Sequence, residues 1–381
     1  MATVSAQRKN INFDILDSLR GLASLYVCIA HCRANLWIGG QKYLELHPFN
    51  TWGFTDWIIM TTMSLTKLSG EAVIFFFVLS GFSIAHSLRS QPSAKLFLFK
   101  RFIRLYPPYV LGFLLALLSI VLLKSNYDLY LSGKYTTDSF ILFKNSLVLF
   151  DVSSIVNTLL YQPVLGTVIT PYWSLVYEVI FYFSAIFFLR KLQWYYLASV
   201  LFFVIGILAE FFLPALQGKS VFLAFILQYN FYFMIGVYAY NNLEKLSAFT
   251  FLESKLLIPG LVASYFAMVG LESTIGEKHN VSFLVAAICC VTMMVLFLKR
   301  NIHIKPLQRI GKFSYTLYVV HFSVITIIIW FLFSVVKLTP PYLNNFLIWM
   351  PAVLVCVGVS YLAYLLVEKP TQKLLNRLRK Q

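Results

Sequence analysis

Arg20 and His31 stand eleven residues apart inside one apolar stretch. An imidazole in that setting is a natural general base for a hydroxyl. On a helix the interval is about three turns, roughly 16 Å, so the two side chains share a face at different depths. Asp17 precedes Arg20 by three residues and can pair with it. A second cluster, Lys100-Arg101-Phe102-Ile103-Arg104, runs into Pro107-Pro108. Arg101 and Arg104 are one turn apart, and two guanidinium forks on one face suit phosphate or pyrophosphate. The plainer reading is ordinary basic anchoring at a membrane's inner face. The stretch Thr170 to Glu178, TPYWSLVYE, gathers Trp173, Ser174 and Glu178 at the start of another helix. Glu178 can orient His31 or hold an acceptor hydroxyl, and Trp173 can stack on a sugar or join an interfacial belt. Glu71 opens a further helix, where a first-turn carboxylate favours the dipole. Tyr315 and His321 share a late helix, His321 being either functional or a packing histidine.

The five cysteines, Cys28, Cys32, Cys289, Cys290 and Cys356, all lie in apolar runs, so no disulfide framework is expected. Cys28, His31 and Cys32 share one helical face and mimic part of a metal site. A metal centre needs a fourth ligand and a supporting shell, so small thiols packing between helices is the preferred reading and no metal is expected.

These residues must be held by elements that suit a very apolar chain. Of its 381 residues, 59% are hydrophobic and only 12% charged, against about 25% charged in a soluble domain. With a mean hydropathy of +0.76, lipid must cover much of its surface. The apolar runs approach the ~20 residues that cross a ~30 Å hydrocarbon core as a helix, and no alternating barrel pattern appears. The expectation is an all-α, polytopic membrane protein with about ten transmembrane helices, near 14–35, 71–88, 105–124, 172–190, 194–213, 221–240, 256–272, 281–298, 313–336 and 344–367. Segment 139–150 is apolar but short, and reads as re-entrant or interfacial. The first apolar stretch has no signal-cleavage pattern and carries charge, so it reads as a membrane helix. One domain spanning 1–381 is expected, with no appended soluble module. Ser80-Gly81 is expected to permit close helix packing.

Charge placement orients the chain. Counted over the loops, 21 Lys and Arg fall on the N-terminal side and nine on the other, with Arg20 inside the first helix completing the 31. Both termini are therefore expected in the cytoplasm. The net charge of +16 is dispersed between apolar runs, without a basic stripe interleaved with aromatics, so nucleic acid is not an expected partner. The basic tail, 368–381, reads as an amphipathic helix on an anionic leaflet, with membrane lipids as partners.

Together the blocks LDSLRGLASLYVCIAH, FFFVLSGF, RFIRLYPPY and WSLVYE, followed by GKFSYTLYVVH and EKP, resemble in order the acyltransferase-3 family of membrane O-acyltransferases. The resemblance runs over residues 12 to 370. It implies transfer of an acyl group, most often acetyl, from cytoplasmic acyl-CoA as co-substrate to a hydroxyl of a glycan or lipid-linked glycan of the cell envelope or for export. No permanently bound cofactor is implied, and the expected location is a bacterial inner membrane. By motif, Arg20 and His31 are the family's Arg-x10-His pair, and Arg101 and Arg104 contact the CoA end of the donor. His31 and Glu178 are then the expected catalytic pair, with Trp173, Ser174, Glu71, Tyr315 and His321 binding or supporting the acceptor. Many relatives carry an acidic residue just before the FFVLSG block, where this chain has Ile74. A pantetheine arm reaching from inner arginines to a deeper His31 fits these positions. The competing classes are a glycan or lipid-linked-precursor flippase, disfavoured because no inverted repeat is visible, and a non-catalytic scaffold.

Overall fold

The computed structural model describes residues 12–37, 40–90, 93–124, 150–162, 168–188, 190–212, 220–275, 280–338 and 346–378. Apart from Phe150, segment 139–150 lies outside them.

Among the described residues every regular element is helical. The helices that carry the argument are α1 (Phe13–Leu36), α2 (Phe54–Leu65), α3 (Ser69–Ser90), α4 (Ala94–Lys124), α5 (Val152–Leu159), α6 (Trp173–Phe188), α7 (Leu192–Phe212), α8 (Val221–Asn241), α9 (Leu257–Ile275), α10 (Asn280–Arg300), α11 (Lys305–Gly311), α12 (Ser314–Ser334) and α13 (Trp349–Ala363), which runs through a π-turn at Tyr364–Glu368 into α14 (Lys369–Leu378). Among the described residues, eight helices are long and apolar enough to cross a membrane. Each of the ten expected spans is found as a helix, and the chain is a polytopic helical membrane protein. The two outside the eight are α1, which is 24 residues long but carries Asp14, Asp17, Arg20 and Arg33, and α9, whose apolar part is the shorter Leu257–Ser273. On α7, Trp194, Leu197, Leu201 and Leu208 stay exposed, as a helix solvated by lipid allows.

Local chemistry sets the helix ends. Asn12 Oδ1 accepts from the Asp14 N–H at 3.1 Å and starts α1, whose Asp14 and Arg33 complement its dipole. Ser93 caps α4 by accepting from the Leu96 N–H. That cap moves the start of α4 to Ala94, ahead of the expected 105, and puts Pro107 and Pro108 inside the helix instead of at its start. Proline lacks the N–H that would reach back four residues, so the turn at Ile103 and Arg104 loses two ladder bonds.

The chain forms two compact units by alternating between them along its length. The first comprises Met1–Ala23, Gly70–Phe99 and Tyr177–Lys312; the second comprises Ser24–Ser69, Lys100–Val176 and Phe313–Gln381. In the first, close backbone approach is built on glycine. A Cβ at Gly81 would lie 2.0 Å from the Phe233 carbonyl oxygen, and one at Gly236 equally close to that of Val78. The expected tight packing at Ser80-Gly81 is thus α3 against α8. Gly21 and Gly311 make a second reciprocal pair, fixing the first turns of α1 against α11. In the second unit, the Tyr172 hydroxyl donates to the Val319 carbonyl at 3.1 Å, and Gly112 is the small residue that leaves room for it.

Candidate active site

In the second unit, α1 and α12 bring two imidazoles together. His31 Nδ1 lies 2.8 Å from His321 Nε2, and His321 Nδ1 lies 2.9 Å from the Leu317 carbonyl. The ring planes differ by 5° and the centroids are 5.1 Å apart, which is the N···N distance plus the two ring radii. The rings therefore lie end to end in nearly one plane, with the hydrogen bond along the in-plane lone pair. His321 is 1% exposed, whereas His31 is part-exposed. Asn35 Nδ2 donates to the His31 carbonyl at 2.8 Å, and Phe322 packs edge-on against the His31 ring. The partner of His31 Nδ1 is His321, a residue that the sequence places only among those supporting the acceptor.

The TPYWS turn fixes α12 from another side. Tyr318 donates to the Pro171 carbonyl at 2.8 Å and pairs with Ser174 Oγ at 2.8 Å. Tyr318 and His321 are one turn apart on α12, so this anchoring also sets the imidazole's height. Ser174 is buried, while Trp173 and Tyr315 are part-exposed. Arg101 and Arg104 are both part-exposed on α4. Glu368, outside the expected site, is buried at the π-turn, accepting from Thr316 at 2.5 Å and from Gln372 at 3.0 Å. The helical path runs without a break from α13 through this π-turn into α14, which ends at Leu378. Hydroxyl and amide donors within the fold are what allow a carboxylate at that point.

The first unit holds the remaining expected residues. Arg20 pairs with Asp17 Oδ1 at 2.8 Å, as their spacing suggests, and donates to Ser83 Oγ at 2.6 Å. Glu71, 6% exposed, accepts from Ser282 Oγ at 2.5 Å. Glu178 accepts from Ser80 Oγ at 2.9 Å and from the Tyr182 hydroxyl. From sequence Ser80 is expected only at a helix-packing site, and Ser83, Tyr182 and Ser282 carry no expectation. The weak signal that exists is local: Ser80 and Ser83 lie one turn apart in LSGFS, and Tyr182 lies four residues beyond Glu178.

Cys28 and Cys32 gain a third thiol the spacing does not reveal, Cys356 of α13. The three sulfurs, all fully buried, lie within 4.8 Å of one another, and Cys32 and Cys356 are 3.9 Å apart. Cys356 also donates to the His321 carbonyl at 3.7 Å, so these thiols pack around the turn that carries the histidine.

As chemistry, the imidazole pair can take and return a proton, and the α4 guanidiniums can hold an anion. A family model described as an acyltransferase domain matches residues 13–365. No curated protein and no solved structure matches the chain.

Proposed function

The chain belongs to the acyltransferase-3 family, and on that premise we propose that it moves an acyl group, acetyl foremost, from cytoplasmic acyl-CoA to a hydroxyl of a cell-envelope or exported glycan. That it is an integral membrane acyltransferase follows from the family and the eight apolar spans. The observation that supports the finer reading is the part-exposed His31, which keeps one ring nitrogen available while the other is bonded to His321. His31 removes the proton of the acceptor hydroxyl, and the oxygen attacks the thioester carbonyl. The carbon–sulfur bond breaks with its electron pair on sulfur, and the CoA thiolate takes the proton back from His31. Direct transfer of this kind needs no further reagent.

Arg101 and Arg104 hold the donor's phosphates, as paired guanidiniums do. Trp173, Ser174 and Tyr315 support the acceptor. The roles of Arg20 at the donor, Glu178 at the acceptor hydroxyl and Glu71 in support rest on the sequence pattern. A bacterial inner membrane with both chain ends in the cytoplasm would supply acyl-CoA on one side and the glycan on the other.

The test is mass spectrometry of envelope and secreted glycans from cells with the protein, without it, and with His31→Ala. An acyl mass increment present only with the unsubstituted protein is the expected result. Glycan export that falls while acylation per glycan stays constant would instead make it a flippase.

A further inference from the structure

We propose that His321 is a positioning residue that locks His31 in its Nδ1-protonated tautomer and so keeps the Nε2 lone pair facing the hydroxyl to be acylated. The proposal rests on His31 being the base, as set out above; the tautomer itself follows from the hydrogen-bond chain. A carbonyl oxygen only accepts, so His321 Nδ1, 2.9 Å from the Leu317 oxygen, carries a proton. A neutral His321 then has a bare Nε2. His31 Nδ1, 2.8 Å from that nitrogen, must be the donor. A neutral His31 therefore has its lone pair on Nε2, for which the structure gives no partner among the described residues. A second proton on His321 would place a cation at a site 1% exposed, where no carboxylate is paired with it among the described residues.

The geometry is strict in the way such a device requires. The rings are nearly coplanar, so rotation of either breaks the bond. Asn35 holds the His31 carbonyl, and Cys356 donates to the His321 carbonyl, tying down the backbone of both turns. When His31 Nε2 accepts the hydroxyl proton, the imidazolium charge is spread through its Nδ1–H onto His321 Nε2. When the leaving thiolate takes that proton, the pair returns to its starting state. His321 thus fills the place that a carboxylate holds behind the base in many hydrolases, but without a buried negative charge. Inside a membrane a neutral partner is the cheaper choice, since a buried carboxylate there costs several kcal/mol.

The experiment compares His321→Leu and His321→Gln with His31→Ala in the full chain in lipid nanodiscs. Transfer is followed as CoA thiol release from acetyl-CoA with added envelope glycan, and tautomers by nitrogen-15 shifts of labelled histidine. In the unsubstituted protein His31 and His321 should both be Nδ1-protonated. His321→Leu should lower kcat toward, and not beyond, the ~10²–10⁴-fold contribution of a general base, with KM for acetyl-CoA unchanged. It should also release His31 to the other tautomer. His321→Gln should recover part of the rate, because its amide can accept from His31 and donate to Leu317. An Nε2-protonated neutral His31 in the unsubstituted protein would overturn the proposal. So would full transfer by His321→Leu where His31→Ala is inactive. If His31→Ala itself transfers normally, the assignment of His31 as the base fails while acyl transfer stands, and the tautomers still decide the pair. Where His321→Leu does not fold, the tautomers of the unsubstituted protein decide alone.

Discussion

Both units seat buried acids against donors, Glu368 of the second against Thr316 and Gln372, but they differ in where one buried polar chain ends. In the first, the acids sit against donors of the same unit: Asp17 against Arg20, Glu71 against Ser282, Glu178 against Ser80 and Tyr182. In the second, the chain from Leu317 through His321 to His31 ends on a ring nitrogen with no partner among the described residues. A charged or polar group at membrane depth is costly, and pairing is how a fold offsets that cost. A group left one partner short is therefore the better candidate for chemistry. The comparison assigns holding to the acids of the first unit and proton transfer to the imidazoles of the second.

The sharpest way to break that division is to substitute each side. His31→Ala should lower acyl transfer by about 10²–10⁴-fold, the usual share of a general base, measured as acyl groups per glycan. Next are the guanidiniums. Arg101→Ala or Arg104→Ala should each raise KM for acyl-CoA by roughly ten- to hundredfold, since a hydrogen bond to a charged group is worth ~1.5–3 kcal/mol. Reversal to Glu should cost more, and an unchanged KM in both reversals would remove α4 from donor binding. Glu178→Gln should cost at most about tenfold in transfer, because an amide oxygen still accepts a hydroxyl and a neutral bond is worth ~0.5–1.5 kcal/mol. A loss equal to that of His31→Ala would make the first-unit acid a reacting group and end the comparison.

Which of these features sequence could show depends on range. Apolar runs near 20 residues identify the spans because length and hydropathy are local, and the Asp17–Arg20 pair is legible for the same reason. The α4 start lies eleven residues before the expected one because charges at Lys95, Lys100 and Arg101 mask a helix that Ser93 already caps. His31 and His321 are 290 residues apart, and Cys356 is 324 from Cys32. No periodicity links such positions, so each residue could be suspected but not their pairing. The same holds for Glu71 and Ser282, 211 apart. Glu368 carries a local signal, an acid at the end of an apolar run, but its partner Thr316 is 52 residues away.

Backbone contacts give smaller effects and test the first unit as a rigid holder. Gly81→Ala sets a Cβ 2.0 Å from a carbonyl oxygen, so α3 or α8 must shift. Overpacking of that kind costs about 1–3 kcal/mol, seen as a lower Tm of the purified protein. Gly358→Ala in the second unit meets nothing within 4 Å and replaces glycine inside a helix. It should stabilise by about 0.4–1 kcal/mol, and equal shifts for the two would show that the glycine contact carries no packing role.

The smallest change is expected at the three thiols beside the imidazoles. Cys28, Cys32 and Cys356 are fully buried, so each Cys→Ala should cost about 1 kcal/mol, the common size for a single substitution. Transfer should continue at nearly the unsubstituted rate, with and without a zinc or copper chelator. Cys356→Ala is the most informative of the three, because it removes the donor to the His321 carbonyl while sparing both rings. A modest fall in rate there, without one in Cys28→Ala, would mean that the thiol serves by steadying the turn of α12. A fall as deep as that of His31→Ala in any one of them would shift the second unit's chemistry from nitrogen to sulfur, through a thioester on the protein.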